Sequence, residues 1–87
     1  MKIKEGFILR EVAGNYIVVA VSGTVKNFNV AISLNETGAF LWKTLGKEVS
    51  KEELILSLLN EYEVTREIAE RDVTAFLGKL EKANLLK

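Results

Sequence analysis

The chain has 87 residues, 48% of them hydrophobic and 28% charged; twelve basic residues balance twelve acidic ones, and cysteine, histidine and proline are absent. This excludes a disulfide framework, a thiolate nucleophile, a Cys- or His-ligated metal and the usual acid–base group near neutral pH. Zero net charge provides no field to gather DNA, RNA or an anionic membrane, and no apolar run reaches the ~20 residues that span a bilayer.

The opening MKIKEGF lacks the apolar core of a signal peptide, so a cytoplasmic protein is expected, with one domain over 1–87. FILREV (7–12) and YIVVAV (16–21) flank Ala13-Gly14-Asn15. Gly14-Asn15 is a natural two-residue turn, since both residues tolerate positive φ, and it predicts a tight hairpin. YIVVAV is apolar without alternation, which suits a central strand with a neighbour on each edge. A polar stretch, SGTVKN (22–27), leads to NFNVAIS (27–33), where the alternation is clean. Phe28, Val30 and Ile32 face one way; Asn27, Asn29, Ala31 and Ser33 face the other. Only helical patterns follow, so this strand is expected at an edge of the sheet. It carries no lysine, proline or inward charge, the devices that keep an edge from pairing with another chain.

The next stretch, LNETGAFLW (34–42), starts the first helix. Asn35 is a good N-cap, and Glu36 suits the positive end of the helix dipole. Ala39, Phe40, Trp42 and Leu45 form the predicted apolar face, with Leu41 at its margin, and Gly46 ends the helix. Gly38 costs up to ~1 kcal/mol relative to alanine inside a helix. Its bare backbone is expected to let the helix lie close to the sheet, with Trp42 filling the gap.

Ser50-Lys51-Glu52-Glu53 is a capping box for a second helix running to about Glu61, with Leu54, Ile55, Leu58, Leu59 and Tyr62 on one side. Thr65 caps a third helix over 66–83, whose core face is Ala69, Val73, Phe76, Leu77, Leu80 and Ala83. Arg66–Glu70 and Glu67–Arg71 are spaced for i,i+4 ion pairs on the solvent side. Asn84 is the expected C-cap, and Leu85-Leu86 is expected to fold back onto the core. The fold class is therefore α+β: a three-stranded antiparallel sheet followed by three α-helices.

Nothing in this pattern carries catalysis. The paired carboxylates Glu52/Glu53 and Glu70/Asp72 lie on helix surfaces, whereas acid–base carboxylates need shielded and unequal surroundings. Neither GxGxxG nor GxxxxGK[ST] occurs. No enzyme activity, metal or cofactor is expected. A winged-helix DNA reader has this general composition and would need a basic recognition helix. Here 51–63 holds Lys51 against Glu52, Glu53, Glu61 and Glu63, a net charge of −3, and 66–83 is neutral.

LNETGAFLW and DVTAFLGKL (72–80), set behind an apolar strand pair, resemble the PqqD family, small peptide chaperones of pyrroloquinoline quinone biosynthesis and their relatives. That family typically carries LN-x-T/S-[GA]-x-x-[IL]-[WL] at the first motif and DV-x-x-FL-x-x-L at the second. The likeness covers nearly the whole chain and implies a winged helix-turn-helix-like RiPP recognition element. Such an element binds the leader segment of a ribosomally made precursor peptide for a modifying enzyme, often a radical-SAM protein. Two departures, the asparagine-rich NFNVAIS and LGKEVS where many members carry Asp-Gly, leave the quinone pathway and another peptide pathway as alternatives.

The resemblance implies capture by β-strand addition along 27–33, with leader side chains in a groove beside the last helix. Five or six backbone hydrogen bonds at a net ~1 kcal/mol each do not offset ~1–2 kcal/mol for every residue ordered. Two or three apolar leader side chains, at roughly 1.5–3 kcal/mol each, must make up the difference, so the groove needs apolar walls. The expected peptide-binding residues are Asn27, Phe28, Asn29, Val30, Ala31, Ile32 and Ser33 on the strand. Ala75, Phe76 and the stem of Lys79 are their counterparts on the helix, with Asp72 and Lys79 orienting a charged leader residue. The expected partners are that peptide and its modifying enzyme, with neither nucleic acid nor membrane. The chain is expected to be a monomer or a homodimer, and the competing role is a dimerisation module using the same unprotected edge.

Overall fold

The computed structural model describes residues 1–21 and 32–87. Its elements run β1 (Phe7–Val12), β2 (Asn15–Ala20), β3 (Ile32–Leu34), α1 (Glu36–Thr44), α2 (Lys51–Glu61) and α3 (Arg66–Lys82). The sheet is antiparallel in the order β1-β2-β3, so the strands precede the helices as the α+β pattern predicts.

The hairpin turns one residue earlier than Gly14-Asn15. Val12 pairs with Asn15, and the two loop residues are Ala13 (φ 53°) and Gly14 (φ 81°), the positive-φ pair of a type I′ turn. The reason is register. The observed pairing sets Leu9 opposite Val18, which is fully buried; a turn at Gly14-Asn15 would put Glu11 there. Phe7, Leu9, Tyr16, Val18, Ile32 and Leu34 all lie in or against the core, while Ile8, Arg10, Val12 and Ser33 on the other face are exposed.

The ladder also settles which backbone groups of β3 turn outward. In an antiparallel pair, residues exchange hydrogen bonds with one neighbour at alternate positions. The Val21 N–H donates to Gly6 O at 2.7 Å, and Val12–Asn15 closes the two-residue loop. Odd-numbered residues of β2 thus bond toward β1, and even-numbered ones toward β3. Ser33 stands opposite Ile17, an odd position, so its N–H and C=O point away from β2.

The caps follow the sequence closely. Asn35 Oδ1 accepts from the Gly38 N–H at 2.7 Å. Both halves of the Ser50–Glu53 capping box form, at 3.0 and 3.1 Å. Thr65 Oγ1 accepts from the Ile68 N–H. At the end of α3 the cap is Ala83, and Asn84 follows in the left-handed conformation at φ 58°. The Asn84 N–H donates to Glu81 O and the Leu85 N–H to Leu80 O, the two bonds of a Schellman motif, with the fully buried Leu80 and Leu85 as its apolar pair.

Leu85-Leu86 folds back as expected, and it lands on the amino-terminal segment. Ile3 bridges Leu86, the Lys4 N–H donates to Leu85 O, and the Lys87 N–H donates to Lys2 O. The carboxy-terminal tail is thereby held beside residues 2–4 and does not pair with β3. In α1, Leu41 is fully buried and belongs at the centre of the apolar face, whereas Phe40 is half-buried and meets Tyr62 edge-on at 5.7 Å. Trp42 sits in the core. Arg66 pairs with Glu70 at 2.8 Å and with Glu52 of α2 at 2.6 Å. The expected Glu67–Arg71 pair is replaced by an Arg71–Asp72 contact at 3.7 Å.

Candidate functional site

Asp72, Ala75, Phe76 and Lys79 are spaced i, i+3, i+4 and i+7, which stacks them on one face of α3. That face looks onto the junction of β3 and α1. Between them lies a cavity of about 250 Å³ lined by these four residues and by Leu34, Asn35, Thr37, Gly38 and Leu41. Its volume is near the lower end of the roughly 300–1,000 Å³ of small-molecule sites and has room for one or two side chains. Phe76, buried, and Leu41, fully buried, give it an apolar floor. Asp72 is half-buried, and Ala75 and Lys79 are exposed at the rim.

The rim and the strand are joined directly. Lys79 Nζ donates to Ser33 O at 3.2 Å, across 46 residues of sequence. This is the carbonyl that the ladder alternation turns away from β2. Ser33 therefore belongs with the four helix residues at one site. Ile32 pairs with Val18 and packs against the core, so its side chain serves the fold. Asn27, Phe28, Asn29, Val30 and Ala31 lie outside the described residues.

The sequence reading missed the α1 side of the cavity: Asn35, Thr37, Gly38 and Leu41. Gly38 carried a usable signal. A Cβ built there would stand 3.2 Å from both Leu34 Cβ and Asn35 Oδ1. The bare backbone is needed where the helix starts against the end of β3, at the wall of the cavity. Leu41 gave no such signal, because a fully buried leucine reads the same whether it backs a core or floors a groove.

The displaced pKa values belong to other parts of the molecule. Glu52 is held below the usual carboxylate range by its hydrogen bond to Arg66. Glu48 is lowered by its bond to the amino-terminal ammonium. The Tyr62 hydroxyl is raised, by burial first and by the nearby Glu36 and Glu61 carboxylates after it. Among the described residues, no group of three or more Asp or Glu side chains is placed to hold a metal ion.

The family model for coenzyme PQQ synthesis protein D matches residues 7–86. The chain belongs to the PqqD family. The sheet, the three helices and the cavity all lie within the PqqD match. Two solved structures share the fold. One, "TbiB1 in Complex with the TbiA(beta) Leader Peptide", is 24% identical, with all of this chain and 95% of that one covered at a TM-score of 0.77. The other, "Lasso peptide synthetase B1 complexed with the leader peptide", is 21% identical, with 97% of this chain and 93% of that one covered at 0.73. A search of curated proteins gives no match.

Proposed function

We propose that this PqqD-family protein is a cytoplasmic carrier that binds the leader segment of a ribosomally made precursor peptide and presents it to a modifying enzyme, of radical-SAM or another class. The leader adds as a strand against β3, and its apolar side chains seat between α3 and the start of α1. The observation that carries this reading is the outward-turned backbone of Ser33 standing beside an apolar-floored cavity of about 250 Å³. Backbone pairing supplies register, and the Phe76–Leu41 floor supplies the apolar burial without which strand addition does not outweigh the ordering cost. Both fold neighbours were solved with leader peptides bound to them, which supports the same use of the fold here. The reading assigns binding and not chemistry. Among the described residues, no helix is long and apolar enough to cross a membrane.

The test is an NMR titration with synthetic leader segments from short reading frames neighbouring the gene. Perturbations centred on Ile32, Ser33, Asp72, Ala75, Phe76 and Lys79 support the proposal. Perturbations centred on 51–63 would move the site to α2 and overturn it.

A further inference from the structure

The sequence of the third strand holds no edge-protecting charge, yet the folded edge is not bare. Lys79 reaches from α3 and places its ammonium on Ser33 O at 3.2 Å. Ser33 is the residue of β3 whose N–H and C=O face away from β2. A lysine set against an edge is a recognised way of keeping that edge from pairing, and here it arrives from a helix. The contact is also easily broken. Lys79 is exposed, its partner is a neutral carbonyl, and among the described residues no carboxylate forms an ion pair with it. A carboxylate would hold the ammonium through a shorter, charge-assisted hydrogen bond.

We infer that Lys79 is a removable guard on the edge of β3 that no other described strand covers, and that the guest strand which displaces it carries an aspartate or glutamate to receive the ammonium. This deepens the leader-binding proposal and rests on it for the guest; the guarding of the edge does not. An incoming strand bonds to Ser33 O with its own N–H and competes with the ammonium for that oxygen, weakening a contact already 3.2 Å long. With a neutral guest the ammonium goes to solvent. With an acidic side chain on the α3 side of the guest it stays at the rim as an ion pair. The charge therefore selects among extended peptides that fill the cavity equally well, and a second copy of the chain presents no such acid from β3 itself, where the described residues are Ile32, Ser33 and Leu34.

The test uses the full chain, K79M (which keeps an apolar stem) and K79R (which keeps the charge). The probes are blocked synthetic dodecapeptides of alternating leucine and serine. A single glutamate replaces each serine in turn, and each peptide has a glutamine twin. The wild type is expected to bind its best glutamate peptide about fivefold more tightly than the twin, in line with a partly exposed ion pair. K79R keeps that preference; K79M loses it and binds both peptides alike. Without peptide, sedimentation equilibrium of K79M is expected to show self-association at about tenfold lower concentration than wild type or K79R. Equal glutamate preference in wild type and K79M, or a K79M mass indistinguishable from wild type at every concentration, overturns the inference. If no probe binds the wild type, the preference for an acidic guest is overturned, the leader reading stands or falls on the titration with leader segments, and the sedimentation result still decides the guard.

Discussion

The two edges of the sheet are protected in different ways. On β1 the means are local: Arg10 and Glu11 lie within the strand and are exposed. On β3 the described residues, Ile32, Ser33 and Leu34, hold no charge, and the lysine comes from 46 residues away on α3. A charge inside a strand stays there whatever binds. A charge on the far end of a flexible helix side chain can leave. On the inference drawn above, the difference separates an edge whose charges are built into the strand from one whose guard can be displaced.

The strongest way to break the contrast is at the floor beside β3. Phe76→Ala is expected to lose about 3–5 kcal/mol of stability, from the cavity left by a buried aromatic, and to abolish peptide binding. Urea denaturation measures the first; titration in the remaining folded range measures the second. On the β1 side the corresponding weak point is the turn. Gly14 has φ 81° and nothing within 4 Å of an added Cβ, so Gly14→Ala tests backbone strain alone and should cost about 1–2 kcal/mol without altering peptide affinity.

Gly38→Ala sharpens the comparison. Better helix propensity favours it by up to ~1 kcal/mol, but its Cβ would stand 3.2 Å from Leu34 Cβ, an atom tied to the end of β3. A net loss of roughly 1 kcal/mol is expected in thermal unfolding, with shifted Ile32–Leu34 resonances and weaker peptide binding. Ala13→Gly should do the opposite in the hairpin loop. It relieves a non-glycine residue at φ 53° and raises stability by about 0.5–1 kcal/mol, the strain relieved exceeding the cost of glycine's extra freedom in the unfolded chain.

The smallest effect is electrostatic and touches neither edge. Glu52 and Glu48 have folded pKa values below the ordinary 4.5. A depressed carboxylate contributes stability above its unfolded pKa and loses it as pH falls through the folded value. A slight decline in melting temperature on acidification below about pH 4.5 is expected, and it should shrink in Glu52→Gln. Peptide binding through Lys79 should be indifferent to that substitution.

Much of this molecule was legible in its residues. The alternation and caps set strands before helices, because hydrophobic period and capping chemistry act over a few residues. Ser50–Glu53, Asn35 and Thr65 cap where their side chains predict. Asp72, Ala75, Phe76 and Lys79 were foreseen on one face of α3, since i, i+3, i+4 and i+7 share a helix side wherever the helix lies. The turn was misread by one residue because Ala13 takes a positive φ that its residue type disfavours, and cross-strand burial of Leu9 against Val18 outweighs that local cost.

The order of the elements, their caps and the faces they present follow from local periodicity and short-range hydrogen bonding, and can be read from the residues alone. That the tail pairs with residues 2–4 and not with β3, that Leu41 and Gly38 wall the cavity, and that Lys79 reaches Ser33 emerge only in the folded chain. Those depend on the packing of segments far apart in the chain, and no local pattern encodes the distance between two atoms 46 residues apart.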